Sequence, residues 1–308
     1  MLGYLLIVVF TLLNLGESVL VRDYAKKHGS GGMLMNAIIA LFSTLFFFIT
    51  DKGGFYAPAD MIPLAAINAC LFGAGFYFTF LAFQCGPYGL TRLISSFSLL
   101  FTVFYGIFFL KETPTIATYI GIAAIIVAMV LINYSKGDDS GKSVSLKWFI
   151  YMMISLFSNG FIGILTRMQQ IRFNHTCSNE FQIISIGGSF VLLTVLGLIL
   201  DRKKLPYIIK HGVPYGIGAG ICNGAKNFVT LILYTLLPLT VISPMNTGLG
   251  MLSAFLMAFL FYKEKYTRRQ LVGVVLGVVA VILLALPKEI VLPIERQLVL
   301  LLKEIFVK

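Results

Sequence analysis

The sequence predicts an all-α integral membrane protein whose ten transmembrane helices form two inverted five-helix repeats. Three observations carry that expectation. The chain of 308 residues is 58% hydrophobic with a mean hydropathy of +0.91, against the roughly 45–50% apolar content of soluble domains. It holds ten runs of about 20 apolar residues, the length a helix needs to cross a hydrocarbon core of roughly 30 Å. A block that closes the first half returns at the end of the chain, at a fixed offset.

The ten runs fall at 2 to 21, 33 to 50, 62 to 84, 90 to 110, 116 to 134, 146 to 168, 181 to 200, 213 to 237, 241 to 262 and 268 to 286. The first has no basic region before it and no small-residue cleavage site after it, so it reads as a retained helix and not a signal peptide. Runs such as "GIAAIIVAMVLI" are apolar on every side, as a lipid-embedded helix must be, and the period-2 alternation of a barrel strand is absent. The hydrophilic, Gly/Ser-rich stretch "SKGDDSGKS" (135 to 143) is the one long joint between runs. It divides the chain into a first half (1–134), a linker (135–145) and a second half (146–286). The tail (287–308) sets Lys288/Glu289, Glu295/Arg296 and Lys303/Glu304 about seven residues apart with Leu and Val opposite, the pattern of an interfacial helix or of one packed on a partner.

The repeat rests on "KETPTIATYIGIAAIIVAMVLI" from Lys111 and "KEKYTRRQLVGVVLGVVAVILL" from Lys263, identical at 7 of 22 positions at an offset of 152 residues. Apolar coincidences are cheap in such a chain. The polar "KE", a Thr and a Gly at matching distances therefore carry the match. Five spans per half make the two halves cross the membrane in opposite senses, with a substrate site expected near the midplane between them.

These blocks resemble the drug/metabolite transporter superfamily in its ten-helix form with two EamA-type repeats, which places a Glu at the close of the fourth helix of each half and a Gly in the fifth. "FQCGPYGLTRL" and "YTLLPLTVISPMN" are similar to that family's connection between third and fourth helices. The resemblance covers residues 2 to 286. It implies a metabolite carrier of the bacterial cytoplasmic membrane, with a central cavity lined by the first, third and fourth helices of each half and with cytosolic termini. Loop charge points the other way: 14 basic residues lie in connections on one side and 8 on the other, which favours external termini.

The net charge of +11 sits in short connections between spans, where it serves membrane flanking and topology, so no nucleic-acid partner is expected. Cys70, Cys85, Cys177 and Cys222 show no metal-ligand spacing, and the three His all lie in connections. No cofactor or metal is therefore expected. An intramembrane enzyme lacks a catalytic constellation, and an ATP-driven pump lacks a nucleotide motif.

The candidate substrate-binding residues are polar groups inside the spans. A Lys or Asp at a helix centre costs roughly 2.5 to 3.5 kcal/mol on insertion, and by default it faces a cavity or a partner. The local alternative is that Ser and Thr bond their own helix and Asn joins two helices. Thr91, Ser95 and Thr102 recur at helical spacing, as do Ser243, Asn246, Thr247 and Gly250, so each fourth helix carries a stripe that either packs tightly or faces water. The glycines of "CLFGAGF" and "GIGAG" read as close helix packing.

Charge breaks the repeat. Lys226 aligns with Gly75, and Glu17 with Phe161. Lys226 lies about 13 residues into its run, roughly 20 Å deep, flanked by Asn223 and Asn227. It reads as a cation for an anionic group of the substrate, or as the partner of a buried carboxylate or a helix C-terminus. Glu17 lies about one turn from the end of its run at Val21, as an interfacial carboxylate or a proton-coupling group. A depth difference of about 13 Å would keep it from pairing simply with Lys226. Asn14, Asn159 and Tyr77 are further cavity-lining candidates, Arg92 and Arg167 interfacial anchors, and the two "KE" pairs loop anchors. The function expected is a secondary exporter or exchanger of a small metabolite, an amino acid or related carboxylate first, with a coupling proton or counter-substrate as partner. A proton-coupled exporter of cationic drugs is the alternative.

Overall fold

A computed structural model describes residues 2–28, 31–51, 53–85, 95, 97–133, 146–260, 267–286, 291 and 293. Among them stand ten α-helices: α1 (Leu2–His28), α2 (Gly32–Thr50), α3 (Met61–Cys85), α4 (Leu99–Phe108), α5 (Ile116–Asn133), α6 (Leu146–Arg172), α7 (Ser178–Leu200), α8 (Leu205–Leu236), α9 (Leu239–Leu260) and α10 (Arg268–Ala285). By length and composition, α1, α2, α3, α6 and α7 each contain a segment able to cross a membrane. The linker, Thr91, Arg92, Lys263, Glu264 and the tail apart from Val291 and Pro293 lie outside the described residues.

The described residues fall into two compact units that cut across the sequence halves. One lies within Met1–Thr102 and Ser135–Leu237, the other within Val103–Tyr134 and Pro238–Lys308. Each half thus gives its first three helices to the first unit and its fifth to the second.

In the first unit, α1 runs antiparallel along α8, with Gly3 against Leu237, Gly16 against Cys222 and His28 against Tyr207. Helix α3 lies antiparallel along α6, with Gly75 against Asn159 and Thr79 bonded to Ser155. Helices α2 and α8 run parallel, and here the sequence dictates the approach. Gly212, Gly216, Gly220 and Gly224 recur every four residues on α8 and meet Met35, Ile38, Phe42 and Phe46 of α2. A Cβ at Gly220 would stand 2.8 Å from the Ile39 carbonyl oxygen, so the two backbones touch, as small residues at four-residue spacing allow in membranes. Helix α3 runs parallel to α7 through Ala69–Gly188 and Asn68–Ser185, and α2 runs antiparallel to α7 through Leu34–Gly197 and Thr44–Gly187. Taken in sequence, these directions make α1 opposite to α6, α2 opposite to α7, and α3 opposite to α8. Apolar clusters seal the unit, one joining Phe47, Phe72, Ile186 and Leu231.

On the outside of α1, Leu5, Leu12 and Val8 stay 50 to 62% exposed, and Val191, Val195 and Ile199 on α7 stay 51 to 70% exposed. Such stripes are a liability in water and the expected surface in lipid. In the second unit α5 packs antiparallel on α10, with Gly121 against Leu284 and Ala128 against Gly277. The Glu112 carboxylate caps α9 there: Oε1 accepts from Leu239 N at 2.9 Å, and Oε2 accepts from Thr240 N at 2.9 Å and Thr240 Oγ1 at 2.8 Å. A carboxylate satisfies the free N–H groups at a helix start and complements its dipole. Gly106 leaves the room, since a Cβ there would meet Glu112 Oε2 at 2.9 Å. The first "KE" pair is thus more than a loop anchor: its Glu holds a helix start 127 residues away.

Candidate functional site

The polar centre of the first unit is built across α1 and α8. Glu17 and Lys226 form a direct ion pair through Oε2 and Nζ. This corrects the expected 13 Å separation in depth, and the reason lies in the helix ends. Helix α1 continues through "RDYAKKH" to His28, which puts Glu17 near the middle of its helix and not at its end, while Lys226 lies ten residues before the end of α8 at Leu236. Polar residues that look like a connection are instead extra helical turns.

Amides complete the centre. The second Glu17 oxygen, Oε1, accepts from Asn223 Nδ2 at 2.9 Å, and Lys226 Nζ donates to Asn14 Oδ1 at 3.4 Å. Asn227 Nδ2 donates to the Asn223 backbone oxygen and to Asn223 Oδ1, both at 3.0 Å. Asn223 is 3% exposed, while the Lys226 and Glu17 side chains keep 17% and 13% exposure. Asn223 is thus the enclosed member of the cluster, and the two charged side chains are the less enclosed ones. Five of the candidates, Asn14, Glu17, Asn223, Lys226 and Asn227, come together here although α1 and α8 are some 200 residues apart in sequence.

The pair changes the electrostatic character expected of the site. Lys226 is not a free cation. Its charge is compensated, so the centre offers hydrogen-bond donors and acceptors side by side with little net charge. Ser43 on α2, which sequence reading passed over, joins the same network through Asn223 Oδ1 at 3.1 Å. A lone Ser in "LFSTLFF" carries no signal to distinguish it from one bonded to its own helix.

The other candidates stand elsewhere. Asn159 on α6 is exposed and donates to the Ser155 oxygen at 2.8 Å. Tyr77 on α3 rests edge-on against Phe78. Ser95 keeps a buried hydroxyl with no partner among the described residues, and so does Asn246 Oδ1 on α9. Thr247 is half-buried on α9 in the second unit, and Thr91 lies outside the described residues. Arg167, expected as an interfacial anchor, donates Nη1 to the Tyr234 carbonyl near the C-terminus of α8 and lies over the Tyr234 ring at 5.8 Å. A cation is favoured at that end of a helix. The α1/α8 seam is closed at its other end by a ring cluster, in which the His28 ring nitrogen meets Tyr207 Oη at 2.7 Å and Lys27 bonds Tyr215. An apolar cavity between α2, α7 and α8, lined by Leu34, Ile38, Phe190 and Ile208, shares none of the polar centre's residues.

Comparison with known proteins agrees with this architecture. Residues 1–134 match the EamA-like transporter family. The chain is similar to "Putative sugar uptake protein lin0215" of Listeria innocua, at 23% identity over 259 residues, covering 82% of this chain and 85% of that protein. It is equally similar to the protein of the same description, lmo0176, of Listeria monocytogenes, with the same identity and coverage. A crystal structure shares the fold with a TM-score of 0.73 at 12% identity, over 92% of this chain and 96% of that one.

Proposed function

We propose that this protein, an EamA-like multi-pass membrane transporter by the match of residues 1–134, is a secondary carrier for a small, neutral, polyhydroxylated metabolite of the sugar class, and that the Glu17–Lys226 centre binds it. The carrying observation is the ion pair itself. A carboxylate substrate would have to displace Glu17 from Lys226, and a cationic drug would have to displace Lys226 from Glu17. A hydroxyl is both donor and acceptor, so a polyol can bridge Lys226, Glu17 and Asn14 without separating the charges. The names of the two Listeria relatives support the same class, and they favour uptake over the export expected from sequence. Their source supports a bacterial cytoplasmic membrane.

The reading includes alternating access between two inverted halves, 1–134 and 146–286, joined by the linker 135–145. Support comes from the helix directions, in which equivalent helices of the halves run oppositely. The pairing pattern also maps onto itself when halves are exchanged: α1 on α8 corresponds to α6 on α3, and α2 on α8 to α7 on α3. Glu17 is the one carboxylate of the centre and the group we assign to a coupling proton.

Uptake into proteoliposomes tests this. Labelled hexose, pentose and hexitol are each offered beside labelled lactate, glutamate and a lipophilic cation. A neutral polyol should enter in wild type and fall at least tenfold in Lys226→Met. Uptake of the carboxylates or the cation alone would refute the substrate class.

A further inference from the structure

We infer that Ser43 is a positioning residue of this centre: its hydroxyl, together with the Asn227 amide, holds the Asn223 side chain so that Nδ2 stays aimed at the Glu17 carboxylate. The inference rests on the reading of the Glu17–Lys226 cluster as the substrate centre. Ser43 is fully buried on α2, and its Oγ lies 2.9 Å from the Ile39 oxygen, 2.9 Å from the Gly220 oxygen and 3.1 Å from Asn223 Oδ1. It reaches α8 because Gly220 has no side chain there; a Cβ at that position would strike Ile39 and Phe42.

The two ends of an amide side chain differ in chemistry and hardly in shape, so neighbours decide which way it points. Around Asn223 they agree. Oδ1 faces two donors, Ser43 Oγ and Asn227 Nδ2, while Nδ2 faces the acceptor-only Glu17 carboxylate. Turned over, the amide would set oxygen against carboxylate oxygen and NH2 against NH2. The hydroxyl can also bond only its own helix, as Thr11 and Thr44 do with the residue four before them. Ser43 differs from both in that its oxygen also lies within bonding distance of a side chain that grips the charge pair. One chain of bonds therefore runs from α2 through α8 to α1, and a shift of α2 is felt at Glu17.

A thermal double-mutant cycle separates the two roles without needing a substrate. Melting temperatures of purified protein are compared for Ser43→Ala in wild type and in a background carrying Glu17→Leu and Lys226→Met. If Ser43 acts through Asn223 on the carboxylate, its loss in wild type should be at least twice the loss in the neutral background. Equal losses would overturn the inference, since the hydroxyl would then serve only the Ile39 and Gly220 carbonyls. Should Ser43→Ala fail to fold, Ser43→Cys keeps the size with a weaker donor and enters the same cycle. With labelled hexose as probe, Ser43→Ala should raise KM about fivefold or more and leave Vmax within a factor of two. If Glu17→Gln and Lys226→Met abolish hexose uptake while Ser43→Ala leaves KM unchanged, the centre stands and the role of Ser43 falls. If wild type takes up none of hexose, pentose or hexitol, the carrier reading falls, and the thermal cycle still decides Ser43.

Discussion

Two seams of the first unit have the same construction and opposite chemistry. In the α1/α8 seam a first helix of one half lies antiparallel on a third helix of the other, and Glu17 pairs with Lys226 at its middle. In the α3/α6 seam the corresponding helices meet in the same manner. There a Cβ at Gly75 would stand 3.6 Å from Asn159 Oδ1, and Thr79 bonds Ser155 at 2.5 Å. The second seam, which also sets Ala82 against Trp148 and Met152 and Phe78 against Tyr151, is packed without an ion pair among the described residues. Charge in the first seam is not needed to hold helices together, so its presence points to function.

The largest effect should come from splitting the pair. Glu17→Gln or Lys226→Met alone leaves a charge without its partner inside the α1/α8 seam. Each should reduce transport more than tenfold and lower stability by about 3 kcal/mol, at the low end for a half-open pair. The Glu17→Gln/Lys226→Met double variant should recover most of that stability and none of the transport, measured by melting temperature and uptake. Recovery of transport as well would erase the distinction between the seams.

Glycine substitutions sharpen the comparison next. Gly220→Ala places a methyl 2.8 Å from the Ile39 oxygen and should destabilise by about 1–3 kcal/mol, the range for overpacking. Gly75→Ala meets nothing closer than 3.6 Å and should be neutral, or stabilising by up to about 1 kcal/mol through helix propensity. Equal melting temperatures for the two would contradict the close approach of α2 and α8.

Smaller effects follow. Glu112→Ala removes the cap of α9 and should cost about 0.5–2 kcal/mol, visible as a lower melting temperature. Thr79→Val deletes the hydroxyl contact of the neutral seam and should lose about 1 kcal/mol with uptake unchanged. Loss of transport in Thr79→Val as complete as in Lys226→Met would make the seams functionally alike.

The helices and Lys226 as the exceptional residue are legible in sequence because long apolar runs and a charge within one have few other meanings. The partnership of Lys226 was not legible. Glu17 looked interfacial because "RDYAKKH" has the composition of a loop, and only tertiary packing against Tyr215, Tyr207 and His211 carries it as helix. Glu112 showed its repeat and not its task, because its partners at Leu239 and Thr240 are brought near by folding alone. Ser43 was silent for the same reason.

The central claim is that the compensated pair recognises a neutral polyol, and ligand-dependent melting of purified protein tests it most directly, since a ligand bound only to the folded state raises the melting temperature. Wild type and the Glu17→Gln/Lys226→Met variant are each heated with a hexose, a hexitol, lactate and glutamate. A polyol should stabilise wild type and leave the variant unmoved. Stabilisation of wild type by lactate or glutamate instead, or an equal response of the variant to the polyol, would contradict the account.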